Sequence, residues 1–280
     1  MQIWQALILG LLQGVSELFP ISSLGHTVLL PAVLGWNIDQ GDPYFLAFVI
    51  ATHLATAIVL FAFYIRIWLA IFAGMLRSLR DREIRADDVN AHLGWLIVVA
   101  TIPAGIVGLL FQDEVRQLFA TPTVAALFLM ANGAMLLVIE VFRRRAMRPE
   151  PDWPLGFGWL RALGVGAAQS FALLPGISRT GATMGGGLAA GLAHIDSARF
   201  AFLMATPIIG AAALLKLPEL AVTGSASQLD TVAVGMVAAG VAAYLSVRYL
   251  DRYFRTRTLI PFGTYCLVAG ALASLLLRLG

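Results

Sequence analysis

Long apolar runs constrain this chain more than any other feature of its sequence. Each is close to the roughly 20 residues that a helix needs to cross a bilayer. Six such runs lie at 44–65, 92–111, 122–142, 198–217, 232–247 and 259–278. Hydrophobic residues make up 59% of the 280 residues and charged residues 12%, against about 25% charged in a typical soluble domain. Because the runs are continuous rather than alternating, the sequence predicts an all-α polytopic membrane protein with six transmembrane helices.

Two further apolar stretches, 4–35 and 159–193, are each interrupted by a polar motif rich in Gly, Pro and Ser. The first contains SELFPISSLGHT (16–27) and the second LLPGISRTGAT (173–183). Polar backbone at membrane depth is tolerated only where it is buried in protein or lines a water-filled cavity. The interruptions therefore predict two broken helices.

Arginine placement predicts the topology. Three connecting segments are rich in arginine: 66–85, 143–148 and 248–257. By the positive-inside rule these segments are cytoplasmic, whereas 112–121 and 218–231 are poor in basic residues and suit the outer face. The stretch 159–193 must then enter and leave on the cytoplasmic side. This predicts a re-entrant helical hairpin rather than a crossing. Basic residues clustered in loops also predict no nucleic-acid partner.

The two interrupted stretches align with each other at an offset of 156. Gln13, Ser22 and Thr27 match Gln169, Ser178 and Thr183, and FVIAT (48–52) resembles FLMAT (202–206). Each half then holds one hairpin and three spans. An odd number of spans places the second half upside down relative to the first. The sequence predicts a single membrane domain, 1–280, with inverted-topology repeat halves of approximately 1–145 and 155–280.

Ionisable residues inside membrane segments are costly and mark candidate functional sites. Glu17, His26 and Arg179 all lie in the interrupted motifs. If the two hairpin tips meet, these three side chains converge on one cavity with the amide of Gln13. The surrounding hydroxyl groups are those of Ser22, Ser23, Thr27, Ser178, Thr180 and Thr183.

These residue types suit a phosphate ester or anhydride bound with a metal ion. The planar guanidinium of Arg179 matches phosphate oxygens, and a half-helix that begins within PGISRTGAT offers free backbone N–H groups to an anion. Glu17, with Gln13 one helical turn before it, could hold a divalent cation. His26 could act as a base or a nucleophile. No P-loop or other glycine-rich phosphate motif occurs.

The motif QGVSELFPISSLGHT (13–27), with LLPGISRTGAT, IATHLATAIV (50–59) and IPFGTY (260–265), resembles the undecaprenyl-diphosphatase family of bacterial membrane phosphatases, the bacitracin-resistance type. The resemblance implies hydrolysis of undecaprenyl diphosphate to undecaprenyl phosphate and inorganic phosphate, which recycles the lipid carrier of peptidoglycan synthesis. It also implies dependence on Mg²⁺ or Ca²⁺ and residence in the bacterial cytoplasmic (inner) membrane, with the active site facing outwards. Implied partners are the polyprenyl diphosphate and membrane lipids. Whether the chain forms a homodimer stays open.

The resemblance also implies roles for individual residues. Gln13 and Glu17 fall on the family's metal-binding [Glu/Gln]-x-x-x-Glu motif, and His26 falls on its histidine. Gly176 and Arg179 fall on the Pro-Gly-x-Ser-Arg segment that binds substrate. The nucleophile stays open between His26, a hydroxyl such as Ser22 or Thr27, and water. Many relatives carry Glu at position 13, an acidic residue at 49 and Gly at 55, where this chain has Gln, Val and Ala.

Other interpretations stand beside this one. A lipid transporter or flippase could use the same inverted-repeat site. A phosphatidic-acid-type phosphatase needs a second histidine a few residues after its Ser-Arg motif, and this chain has none there. Arg179 and Glu17 could form only a structural bridge, and His26 could be a core residue. Less specific roles are expected elsewhere: packing for His53 and Gln169, a surface ion pair for Glu140, and a solvated loop for His194.

Overall fold

The computed structural model describes residues 1–111, 121–145, 152–221 and 226–279, and no strand occurs in these ranges. The described residues form eleven α-helices. They are α1 (Ile3–Ser16), α2 (Ser23–Val33), α3 (Pro43–Phe63), α4 (Ile65–Asp81), α5 (Val89–Leu110), α6 (Pro122–Arg145), α7 (Trp159–Ser170), α8 (Arg179–Ala189), α9 (His194–Ala221), α10 (Ala226–Tyr253) and α11 (Ile260–Leu279). A single 3₁₀ turn, Phe171–Leu173, follows α7.

Six of these helices, α3, α5, α6, α9, α10 and α11, are long and apolar enough to cross a membrane. The six predicted spans are therefore confirmed, and the chain is a multi-pass helical membrane protein. The structure lengthens some of them: the run predicted at 232–247 belongs to a helix that spans Ala226–Tyr253. Of the segments assigned to either face, 112–120, 146–151 and 222–225 lie outside the described residues.

The two interrupted stretches form the helix pairs α1–α2 and α7–α8. Their helices contain 14, 11, 12 and 11 residues. At about 1.5 Å per residue none is longer than about 21 Å, against a hydrocarbon core of about 30 Å. Each pair therefore has the dimensions of a hairpin of half-helices. The re-entrant path and the inverted repeat stay predictions.

Serine caps determine where the second helix of each pair begins. Ser22 Oγ accepts a hydrogen bond from the Gly25 N–H at 3.2 Å, and Ser178 Oγ accepts one from the Gly181 N–H at 3.1 Å. A serine side chain in this position satisfies a donor that the helix itself leaves unpaired. The two capped starts are also 156 residues apart.

The arginine-rich segment 66–85, expected to be a loop, instead forms helix α4 over most of its length. Its inner face buries Ile71 against Gly94 of α5 and Trp68 beside Phe61 of α3, whereas Leu69 and Phe72 are exposed. The prediction missed this helix because its arginines interrupt the apolar run. The apolar residues nevertheless recur at the three- and four-residue spacing of a helix face.

The expectations for Glu140 and His194 were also wrong. Glu140 is buried, and its Oε1 lies 2.7 Å from His194 Nε2 and accepts the Leu259 N–H at 2.6 Å. One carboxylate thus connects α6, α9 and the start of α11. The sequence placed Glu140 beside three arginines at the end of a span, and only the packing of distant helices shows that it turns inward.

Small residues bring α1 close to α10 and α7 close to α5. Gly10 packs on the backbone of Gly235, Gly14 on that of Ala239, and Gly166 on that of Ala100. Close approach of this kind is typical of membrane helix pairs, in which van der Waals packing replaces the hydrophobic effect. The contacts run in parallel order, so α1 starts at the same end as α10.

Gly14→Ala should destabilise the protein by about 1–3 kcal/mol, because the added methyl group meets the Ala239 carbonyl and the Ala242 side chain. Gly164→Ala is the matched control, since nothing lies within 4 Å of its Cβ position. Unfolding temperatures of both variants in one detergent check this. Equal temperatures would contradict the proposed packing of α1 on α10.

A single asparagine on α6 holds both interrupted motifs. Asn132 is fully buried, and its Nδ2 donates to the Pro20 carbonyl at 3.0 Å. Its Oδ1 accepts the Ser178 N–H, also at 3.0 Å. The amide therefore fixes the first motif relative to the second.

Asn132→Ala should lower the unfolding temperature markedly, because a buried backbone carbonyl and a buried backbone N–H would each lose a partner at about 1–3 kcal/mol. Thr101→Ala is the control, because Thr101 donates only to Ile97 within its own helix. Thermal unfolding in detergent measures both. An Asn132→Ala protein as stable as the control would rule out this bridging role.

Candidate active site

A cavity of about 420 Å³ lies where the two interrupted motifs meet α2, α3 and α9. One end of it is polar, with Glu17, Ser22, Ser23, Thr27, His53, Ser178 and Arg179 among its lining residues. The remaining walls are mainly apolar and include Leu46, Val49, Ile50, Leu173, Ile208 and Ile209. The cavity can therefore take a ligand with one polar end and a long apolar part.

The Glu17 carboxylate is the centre of the polar end. Its Oε1 accepts a hydrogen bond from Arg179 Nη2. Its Oε2 accepts from Ser23 Oγ at 2.5 Å and from Gln13 Nε2 at 3.1 Å, and it lies 3.2 Å from His53 Nε2. The carboxylate is buried and has partners from both hairpins and from α3, as a charge removed from water requires.

Two buried polar atoms of this cluster have no hydrogen-bond partner among the described residues. They are Arg179 Nη1 and Gln13 Oε1. Buried polar atoms are nearly always paired in native proteins. The unpaired guanidinium nitrogen could donate to a bound anion, and the unpaired amide oxygen could bind a cation.

The N-termini of two helices lie at the cavity. Ser22 and Ser23 begin α2, Ser178 and Arg179 begin α8, and all four residues line the cavity. The first N–H groups of a helix and the positive end of its dipole favour an anion. The expected half-helix start within PGISRTGAT is confirmed at Arg179.

His26 does not lie in this cavity, contrary to prediction. Its Nδ1 lies 2.7 Å from the Ser22 carbonyl, and its Nε2 lies 2.8 Å from the hydroxyl of Tyr265 on α11. Ser23 and Thr27, one turn apart on α2, share the face that lines the cavity. His26 lies on the neighbouring face of that helix. It therefore does not lie beside Glu17, although it belongs to the same sequence motif as Ser23.

Four other predicted site residues do not line the cavity but lie next to it. Thr180 Oγ1 donates to the Glu17 backbone carbonyl at 2.8 Å, and Thr183 Oγ1 donates to Gln169 Oε1 at 3.2 Å. Gly176 has φ of 104° and packs on the backbone of α6, where a side chain would clash. With Gln13, which bonds to Glu17 without lining the cavity, these residues position the hairpins.

His53 is the cavity residue that the sequence interpretation undervalued. It was expected to serve packing, but it lines the cavity beside Glu17. A signal was present: a histidine in the middle of an apolar span is a functional candidate by default. Only the fold shows that α3 carries it to the hairpin tips.

The donor set at Glu17 fits a hard divalent cation. The carboxylate and the unpaired Gln13 Oε1 are oxygen atoms of the type that such ions bind, on side chains one helical turn apart. Magnesium is commonly held by one or two carboxylates together with substrate phosphates and water. Within the described residues no group of three or more His, Cys, Asp and Glu side chains forms a complete metal cage, so substrate oxygens would complete the coordination.

Comparison with known proteins shows the family of the chain. The family model "Bacitracin resistance protein BacA" matches residues 6–272. A protein named undecaprenyl-diphosphatase from Mycolicibacterium paratuberculosis is 47% identical, covering 95% of this chain and 94% of the relative. One of the same name from Acidiphilium cryptum is 44% identical, covering 98% of each chain. An undecaprenyl-diphosphatase 2 from Frankia alni is 42% identical over 96% of each.

The match extends over nearly the whole chain and includes both interrupted motifs. The high identity holds over almost the full length of each relative. The chain therefore belongs to the bacitracin resistance protein BacA family.

Proposed function

We propose that this chain hydrolyses undecaprenyl diphosphate to undecaprenyl phosphate and inorganic phosphate, recycling the lipid carrier of peptidoglycan synthesis. One observation carries the proposal: Arg179 has an unpaired Nη1 and lies with Ser23 at two helix N-termini, at the polar end of an apolar cavity. The names of the relatives support it.

The diphosphate binds at the polar end. Arg179 Nη1 and the first N–H groups of α8 provide donors that match phosphate oxygens. The prenyl chain lies along the apolar walls formed by α3 and α9, where Ile50 and Ile209 contribute. Burial of the chain stabilises the complex by the ordinary hydrophobic effect.

Ser23 is the nucleophile in this mechanism. Its hydroxyl donates to Glu17 Oε2 at 2.5 Å, so the carboxylate can take the proton as the oxygen attacks. Ser23 Oγ bonds to the terminal phosphorus, and the bond from that phosphorus to the bridging oxygen breaks. Undecaprenyl phosphate leaves with the bridging oxygen. Water then displaces Ser23 from phosphorus, and the serine recovers its proton from Glu17. Ser22, by contrast, uses its oxygen as a helix cap.

Glu17 and Gln13 would hold Mg²⁺ or Ca²⁺ against the substrate. The ion supplies positive charge to the diphosphate oxygens when it is bound. Gln13 contributes a neutral oxygen where many relatives are expected to carry a second carboxylate. Glu17 and the substrate then provide the negative charge of the site.

The active site opens to the outer side of the bacterial cytoplasmic membrane. The α3 residues that line the cavity fall between Phe45 and His53, and those of α9 between Ile208 and Ala213. The arginine-rich segments lie at the opposite ends of these two helices. With arginine on the cytoplasmic side, the cavity occupies the outer half of the membrane.

An inverted repeat accounts for the arrangement of the two hairpins. Helix α1 runs parallel to the first half of α10, which starts outside under this topology. Helix α7 runs parallel to α5, which starts inside. The hairpins thus enter from opposite faces and meet at Glu17 and Arg179, as in transporters with broken helices. Whether two copies associate stays a prediction.

The first test is release of inorganic phosphate from undecaprenyl diphosphate by purified protein in detergent, with Mg²⁺, Ca²⁺ or EDTA. Arg179→Lys should lower kcat/KM by about 10²–10³, because lysine lacks the second donor that meets the phosphate. Arg77→Lys is the control, since Arg77 forms an exposed pair with Asp88. EDTA should abolish release.

Binding of the substrate without phosphate release, by folded wild-type protein, would overturn the enzyme proposal and favour the transporter interpretation. Full activity in EDTA would contradict only the proposed dependence on a divalent cation.

The second test addresses the nucleophile. Ser23→Ala should reduce phosphate release at least about 10³-fold, because no other oxygen occupies its place. Acid-quenched wild-type protein should carry phosphate on Ser23, detected by mass spectrometry. Ser246→Ala, a buried serine on α10 outside the cavity, is the control. Substantial turnover by Ser23→Ala would exclude the phosphoserine route.

A further inference from the structure

We propose that the arginine-rich end of α10 binds the phosphate of an anionic phospholipid from the surrounding bilayer, through Arg248, Arg252 and Tyr249. Under the topology proposed above, this lipid belongs to the cytoplasmic leaflet. None of the three residues lines the cavity, so the site is separate from the candidate active site.

The two arginines continue the lipid-facing side of α10. This side is exposed along its length and is formed by Val237, Val241, Leu245, Arg248 and Arg252. In a helix with 3.6 residues per turn these positions fall within an arc of about 80°. Helix α1 packs on the opposite side, where Gly14 contacts the backbone of Ala239. The guanidinium groups therefore extend towards lipid rather than into the protein.

The arginines lie at the depth of the phospholipid headgroups. The span Gln228–Tyr253 contains 26 residues, which extend over about 39 Å, against a hydrocarbon core of about 30 Å. Its last turns therefore reach the headgroup layer. Tyr244 and Tyr249, on either side of Arg248, are 46% and 52% exposed, and exposed tyrosines are typical of this layer.

Neither arginine has a carboxylate partner in the part of the chain that the structure describes. Their nearest acidic neighbour in the sequence is Asp251. Its carboxylate is already taken by Arg199 Nε at 2.8 Å and by Arg255 Nη2 at 3.1 Å. The positive charge of Arg248 and Arg252 is therefore available to an anion from outside the chain.

Two arginines of the segment 66–85 show the contrast. Arg77 Nη2 donates to both carboxylate oxygens of Asp88, at 3.1 and 2.8 Å, and Arg85 Nη2 lies 3.0 Å from Asp81 Oδ2. Both are exposed, but each is neutralised by a carboxylate of the same segment. Exposure and positive charge alone thus do not distinguish Arg248 and Arg252; the missing partner does.

The spacing on α10 suits one lipid phosphate. Arg248 and Arg252 are separated by one helical turn, about 6 Å along the axis, and Tyr249 lies between them in the sequence. Guanidinium groups match phosphate oxygens, and the acyl chains of the same lipid can lie along Val241 and Leu245. Free phosphate would not use this apolar stripe. The cationic amine of a zwitterionic headgroup would oppose the arginines, so an anionic lipid is favoured.

The test is thermal unfolding of the protein in detergent with increasing phosphatidylglycerol. A lipid that binds only the folded protein raises the unfolding temperature with its concentration, which yields an apparent Kd. The double variant Arg248→Gln/Arg252→Gln should raise this Kd about 30-fold, since each arginine near an anionic lipid contributes about a factor of five.

The matched control is Arg77→Gln/Arg85→Gln, which removes the same charge from arginines that already have carboxylate partners. Its Kd for phosphatidylglycerol should stay within a few fold of the wild-type value. Phosphatidylcholine and inorganic phosphate form separate arms of the experiment, and neither should show a comparable difference between the wild-type protein and the α10 variant.

An unchanged Kd in the α10 variant would overturn the inference, because the lipid would then bind elsewhere. Equal weakening in both double variants would overturn it too, since only net charge would matter. An equal dependence of phosphatidylcholine or inorganic phosphate on the α10 arginines would contradict the choice of ligand. If the α10 double variant does not fold, the two single variants replace it, each with an expected fivefold effect. Phosphate release is not measured, so failure here leaves the proposed phosphatase untouched.

Discussion

The Glu17 carboxylate is the interaction on which the rest of the site depends. A charge at membrane depth is stable only with partners, and Glu17 takes them from three separate parts of the chain: Ser23 and Gln13 in the first hairpin, Arg179 in the second, and His53 in α3. Removing it would leave the Arg179 guanidinium buried without its counter-ion, which typically costs about 3–5 kcal/mol. The same group therefore joins the hairpins and, in the proposed mechanism, takes the proton of the nucleophile.

The surrounding helices make this arrangement possible. Asn132 on α6 bonds to the backbone of both motifs, and Thr180 bonds to the Glu17 carbonyl. Glycines bring α1 onto α10 and α7 onto α5 at backbone contact distance. Polar tips are thus buried in protein rather than exposed to lipid, as irregular backbone in a membrane requires. The apolar walls beside them leave a path for a prenyl chain.

Much of this could be predicted from the sequence, for identifiable physical reasons. Continuous apolar runs determine the six spans, and the polar interruptions locate the breaks before Ser23 and Arg179. Serine and glycine at matching spacing predict the two capped helix starts. These features are local, so the residues that cause them are neighbours along the chain.

Features that depend on long-range packing could not be predicted in this way. The motif containing His26 predicted that this histidine lies in the cavity with Glu17, but His26 is not on the cavity-lining face of α2, whereas α3 brings His53 to the cavity. The sequence predicted Glu140 to be a surface residue, because its partners His194 and Leu259 are distant along the chain. Helix α4 was not predicted because its arginines interrupt the apolar run.

The most direct measurement is an experimental structure of the protein with a non-hydrolysable prenyl methylenediphosphonate. The account predicts the terminal phosphonate within hydrogen-bond distance of Arg179 and Ser23, and the prenyl chain between α3 and α9. A diphosphonate bound at His26 and Tyr265, or outside the hairpin tips, would contradict it.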